Sequence, residues 1–128
     1  ADLIVAFRNI HSWLRMGSLD GTLAAAFTAL KPGGVFGVVQ HRAPSGDDAE
    51  AMARTGYVTE AYVIAAAEKA GFKLDARSEI NANPRDTADH PNGVWSLPPA
   101  LRDDDENRAK FEAIGESDRM TLRFIKPE

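Results

Sequence analysis

Two short apolar runs constrain this chain more than any other feature. Leu3-Ile4-Val5-Ala6-Phe7 and Val35-Phe36-Gly37-Val38-Val39 are continuous and rich in β-branched residues. Each gives way to polar residues, Arg8-Asn9 after the first and Gln40-His41-Arg42 after the second. A run without alternation is the pattern of a strand covered on both faces, as in a parallel sheet. A helix is expected between them. Ser18 stands as an N-cap, Asp20 puts negative charge in the first turn, and Leu19, Leu23, Phe27 and Leu30 share one face at helical spacing. Lys31-Pro32-Gly33-Gly34 stops that helix, because proline cannot continue it and glycine accepts a left-handed backbone.

The rest of the chain continues the alternation. A polar loop over 43–48 leads into a weak helical stretch ending near Arg54. Thr59 caps a better-marked helix with Glu60 in its first turn, Val58 and Val63 placed as a hydrophobic staple, and Gly71 at its end. Phe72-Lys73-Leu74-Asp75-Ala76-Arg77 alternates apolar and polar, as a strand with one wet face near a sheet edge does. Residues 81–118 are irregular, with four prolines and one helix expected over 105–114; Met120-Thr121-Leu122-Arg123-Phe124-Ile125 reads as a final strand. The order predicts an α/β fold with a parallel sheet, right-handed crossovers and one core. The final strand has no crossover helix of normal length before it and is the one expected to run antiparallel.

At 128 residues, 44% hydrophobic and 27% charged, the chain has the size and apolar content of one ordinary domain. Several function classes fall away. No apolar run reaches the ~18 to 20 residues of a membrane span, and no signal peptide is visible, so a cytoplasmic location is expected. Cysteine is absent, which excludes disulfide scaffolds, thiolate zinc sites and cysteine nucleophiles. The three histidines lack metal-ligand spacing, so no metal is expected. Fifteen basic residues against nineteen acidic ones are scattered, and the densest charge run, Asp103-Asp104-Asp105-Glu106, is negative. Nucleic acid is therefore not an expected partner.

In an open parallel sheet, ligands bind beyond the carboxyl ends of the strands. That rule selects Arg8, Asn9, His11 and Trp13 after the first run and Gln40, His41 and Arg42 after the second. If the two strands are neighbours, about 4.8 Å apart, these residues share one rim suited to an anionic or planar ligand. Trp95 either plugs the core or lines a pocket. Asp118-Arg119 reads as a surface ion pair.

These segments also carry a family resemblance. Asp2 to Leu14, followed by Leu30-Lys31-Pro32-Gly33-Gly34-Val35, resembles the fourth and fifth strands of class I S-adenosylmethionine-dependent methyltransferases, and Ala70-Gly71-Phe72 the turn into the sixth. Tyr57-Val58-Thr59-Glu60, Glu79-Ile80-Asn81-Ala82-Asn83-Pro84 and Glu116-Ser117-Asp118-Arg119-Met120 are similar to a subgroup of bacterial predicted methyltransferases of unassigned substrate. The resemblance implies a Rossmann-like methyltransferase sheet, second half only, with strands four to seven and flanking helices. Residues 1–128 then form the C-terminal half of the domain, with an irregular insert at 81–118. The family's glycine-rich loop and its ribose-binding acidic residue have no counterpart in this chain.

The implied function is methyl transfer from S-adenosylmethionine, the cofactor of the complete domain, to a small-molecule acceptor. Arg8 and Asn9 then lie on the cofactor side, His11 and His41 are the candidate proton acceptors, and Trp13, Arg42, Tyr57 and Trp95 face substrate. The implied partner is a second copy or the missing N-terminal half, through the open edge of the first strand. The alternative is a non-catalytic interaction module that pairs with itself or another chain.

Overall fold

The computed structural model describes residues 1–46, 48–103 and 105–128. In chain order the elements are β1 (Leu3–Phe7), α1 (Ile10–Arg15), α2 (Leu19–Ala29), β2 (Val35–His41), α3 (Ala49–Thr55), α4 (Glu60–Ala70), β3 (Lys73–Ser78), α5 (Asp105–Ile114) and β4 (Arg119–Ile125), with a 3₁₀ turn at Gly93–Ser96 before α5. The sheet order is β1-β2-β4-β3. β1 and β2 are parallel, whereas β4 runs antiparallel to both of its neighbours, β2 and β3. β3 lies at an edge, as its alternation predicts, and β1 forms the other edge. Asp104, within the acidic run, lies outside the described residues.

Local chemistry explains the helix ends. The Thr59 hydroxyl accepts the Tyr62 N–H at 3.2 Å at the start of α4, and Asp48 accepts the Glu50 N–H at 3.0 Å at the start of α3. Gly71 closes α4 with φ of 111°, and a Cβ there would stand 2.8 Å from the Phe27 ring, so glycine is required twice over. Ser18 differs from expectation. It occupies the cap position of α2 but makes no cap bond; its hydroxyl turns back to the Trp13 carbonyl at 3.5 Å.

The core lies on one face of the sheet. Ala6, Phe36, Val38, Met120, Leu122 and Phe124 are buried together with Leu19 and Leu23 of α2, Val63 and Ala67 of α4, and Phe72. The Phe36 and Phe72 rings stack at 5.1 Å, and Phe27 meets Phe72 edge-on at 5.2 Å. The opposite face is open, which corrects the expectation that both apolar runs are covered on both sides. Leu3, Val5 and Phe7, which alternate with the inward Ile4 and Ala6, are 60%, 49% and 57% exposed. Phe7, Val35, Gly37, Val39 and Arg123 line a shallow groove that includes this face. The cause is the helix set: α2 and α4 cover one side of the sheet, and among the described residues no helix covers the other.

The insert is more ordered than its text suggests. The Asn83 amide donates to the carbonyls of Ile114 and Glu116, each at 2.7 Å, and the Asn83 N–H donates to Asp118 at 2.9 Å. Its hub is Asp86, whose side chain is fully buried. The carboxylate accepts from Tyr57 Oη at 2.8 Å, Ala88 N at 2.9 Å, His90 Nε2 at 2.8 Å and Asp118 N at 2.9 Å. These bonds fasten the insert beside the carboxyl ends of β1 and β2.

Candidate functional site

Because β1 and β2 are parallel neighbours, the residues beyond their ends meet as the rim rule requires. His11, on the first turn of α1, and His41, the last residue of β2, have ring centres 5.5 Å apart. Trp95 of the insert meets His11 edge-on at 5.8 Å. Gln40 sets the geometry from below: its Oε1 accepts the Ile10 N–H at 3.1 Å, and its Nε2 donates to the Gly56 carbonyl at 2.9 Å and to His11 Nδ1 at 3.1 Å. The two backbone partners allow only one amide orientation, so His11 Nδ1 is an acceptor and the neutral ring carries its proton on Nε2.

Strand pairing supplies the rest. Arg119 lies opposite His41 in the β2–β4 register, and Ser117 just precedes β4. Ser117 Oγ is 2.5 Å from His41 Nδ1 and accepts from Arg119 Nε at 3.2 Å. Either partner of the Ser117–His41 contact can donate its proton, since the hydroxyl can accept from Arg119 and from His41 at once. Burial, reinforced by neighbouring His11, Arg119 and Arg8, pulls the His41 pKa down to about 3. Burial also lowers that of His11. Such rings stay neutral at pH 7 and retain little driving force to take a proton.

A pocket of about 210 Å³ opens between these residues, lined by Arg8, His41, Trp95, Ser117 and Arg119, with Leu97, Pro98 and Pro99 among its apolar walls. That lies below the roughly 300–1,000 Å³ of pockets for drug-sized ligands, so the occupant is small. Arg8 adopts φ of 62°, a left-handed backbone uncommon for a side-chain-bearing residue, while its N–H donates to the Val39 carbonyl. Among the described residues no carboxylate pairs with its guanidinium. Asn9 precedes α1 without a side-chain capping bond and is exposed.

The other sequence candidates have other surroundings. Trp13 lines a separate crevice with Leu14, Leu19 and Tyr62. Tyr57 is buried with its hydroxyl on Asp86, and burial raises its pKa. Arg42 makes a two-pronged pair with Asp118 at 2.9 Å for each bond, and also reaches Glu79 at 2.8 Å and Glu60 at 3.3 Å. Asp118 is thus not the surface partner of Arg119 that their adjacency suggests. Ser117, Arg119 and Asp86 were not among the sequence candidates. Only the pairing of β4 with β2 brings Ser117 and Arg119 to the rim. Among the described residues no group of three His, Asp or Glu side chains is placed to hold a metal, and no helix is long and apolar enough to cross a membrane.

No family model matches the chain, and no curated protein matches it. Solved structures do. The [4+2]-cyclase SpnF superposes with a TM-score of 0.61 at 20% identity, over 98% of this chain and 50% of that one. A Listeria monocytogenes protein proposed to be an S-adenosylmethionine-dependent methyltransferase superposes with a TM-score of 0.54 at 14% identity, over 100% of this chain and 62% of that one. The chain shares the Rossmann-like α/β fold of these structures. At these identities the likeness is one of fold. The chain spans half to about three-fifths of the length of these two structures.

Proposed function

We propose that this chain is the acceptor-binding half of an S-adenosylmethionine-dependent methyltransferase that acts on a small molecule. One observation carries the reading: the small pocket sits beyond the carboxyl ends of parallel β1 and β2, roofed by the insert, where this fold class binds ligands. The exposed Arg8 guanidinium, beside the Asn9 amide, suits the carboxylate end of the cofactor's methionine part. The cofactor supplies the methyl group. The chain's own residues hold the acceptor: His41 offers it a hydrogen bond with His11 packed against its ring, Trp95 and the proline wall exclude water, and Arg42 positions the loop after β2 through Asp118. Catalysis then rests on alignment rather than on a strong base.

Magnitude separates those two roles. In the full-length gene product, transfer of labelled methyl from S-adenosylmethionine by the His41→Ala variant should fall about tenfold in kcat/KM, the worth of one neutral hydrogen bond. A loss of ~10³ or more would instead make His41 the general base. No change at all would remove it from the site.

The open face and edge of β1 belong to the same reading. They expose Leu3, Val5 and Phe7 with no proline, lysine or inward charge to blunt pairing. We assign this surface to the remainder of the domain, since about two-fifths to one half of the length of each similar structure lies outside the match. Expressed alone, this chain should self-associate through β1 at tens of micromolar, and Val5→Lys should dissociate it. A stable monomer by light scattering would contradict that assignment.

A further inference from the structure

Arg42 and Arg119 offer an internal comparison. Their side chains are equally secluded, each 16% exposed, yet their partners differ sharply. Arg42 has Asp118, Glu79 and Glu60 around it. Arg119 has the Ser117 hydroxyl at 3.2 Å and one carboxylate, Glu116, at 3.5 Å on a side chain 61% exposed to solvent. A guanidinium presents five N–H donors in a fixed fork, and a secluded cation whose one counter-charge is solvent-exposed is incompletely compensated. Arg119 lines the pocket. Arg8, the second cation on that wall, has no carboxylate partner among the described residues.

Against this, the remaining walls are apolar. Leu97, Pro98 and Pro99 close one side, and Trp95 is held by the Arg102 guanidinium 5.6 Å from its ring centre. His41 stays neutral beside the two cations and adds no charge. In a chain whose net charge is −4, this is a local inversion of sign. We propose that the acceptor is a small apolar carboxylate whose charged group is gripped by Arg119, with its body against Trp95 and the proline wall. This rests on the acceptor-pocket reading above and names the substrate class and the residue that selects it. Arg119 is the specificity determinant, because its planar fork matches a carboxylate in two-pronged geometry that lysine cannot reproduce.

Calorimetric titration of this chain with three probes, without cofactor, tests the inference. Benzoate should bind, and benzamide, equal in shape but uncharged, should bind at least tenfold more weakly. Free methionine carries the other carboxylate available to this site, that of the cofactor's amino-acid part, and should not depend on Arg119. Arg119→Gln should weaken benzoate at least tenfold and leave benzamide unchanged, and Arg119→Lys should recover only part of the loss. Unfolding curves for both variants establish that the fold is intact. Equal binding of benzoate and benzamide, no benzoate binding at millimolar concentration, or benzoate affinity indifferent to Arg119 would each overturn the proposal. So would methionine binding that falls with Arg119→Gln. Because no methyl donor is present, failure of methyl transfer would leave a positive result standing, and the two readings fail separately.

Discussion

Asp86→Ala should lower the stability of the fold by about 4 kcal/mol. The carboxylate is fully buried and accepts four hydrogen bonds, two from side chains on Tyr57 and His90 and two from the backbone of Ala88 and Asp118. Alanine leaves all four donors without their acceptor. Each orphaned buried donor costs roughly 1–3 kcal/mol, and partial relaxation recovers some of the sum. Against the roughly 5–15 kcal/mol of a typical domain, a loss of this size leaves a marginal protein. The insert should be released first, since Asp86 ties Tyr57 at the start of the α4 segment to Asp118 at the entry to β4. Urea unfolding measures the loss, and hydrogen exchange over 81–96 should accelerate more than in β2. Asp86→Asn, which keeps one acceptor oxygen but turns an amide toward donors, should fall between the two. A midpoint shift worth less than about 1 kcal/mol would show that the hub is not what holds the insert.

The second large effect is on the acid limb of stability. His41 titrates near 6.5 in the unfolded chain and near 3 in the folded one, chiefly because burial disfavours the charged ring. Between these values the unfolded state binds the extra proton, so stability rises with pH and acidification favours unfolding. The penalty is absent above about pH 6.5 and grows as pH falls toward 3, by up to ~1.4 kcal/mol per pH unit for one group. His11, also lowered by burial, adds in the same direction, and below about pH 4 so does Asp118. Urea midpoints at pH 7, 5.5 and 4.5 should fall steadily, and His41→Gln should flatten the fall by about one proton's worth. An unchanged slope in that variant would mean that His41 is charged in the folded state.

Elements set by nearby residues were legible in the sequence. β1, α2, β2, α4 and the antiparallel final strand follow from apolar runs, Thr59, Gly71 and the proline-glycine stop, all of which act within a few residues. What depends on distant partners was not. The same apolar text in β1 serves a strand covered on one side, because coverage depends on which helices exist rather than on the strand. α1, at six residues, is too short to show a period. The site divides in the same way. His11 and His41 could be placed together by the rule for strand ends, since both follow runs that pair directly. Ser117 lies 76 residues from His41, and the β4 register that joins them has no local signature. Arg42 and Arg119 exchanged their expected places for that reason. Asp118, read as the neighbour of Arg119, reaches across the sheet to Arg42 instead.

The central claim is that the rim of β1 and β2 is where a methyl donor and its acceptor meet. Titrating S-adenosylhomocysteine into the full-length gene product, with backbone amide shifts followed by NMR, tests it most directly. The account predicts that Arg8, Asn9 and Ile10 shift with saturable concentration dependence, and that Ser117 and Arg119 shift only when an acceptor analogue such as benzoate is added. Absence of binding at millimolar concentration, or shifts that leave residues 8–11 untouched, would contradict it.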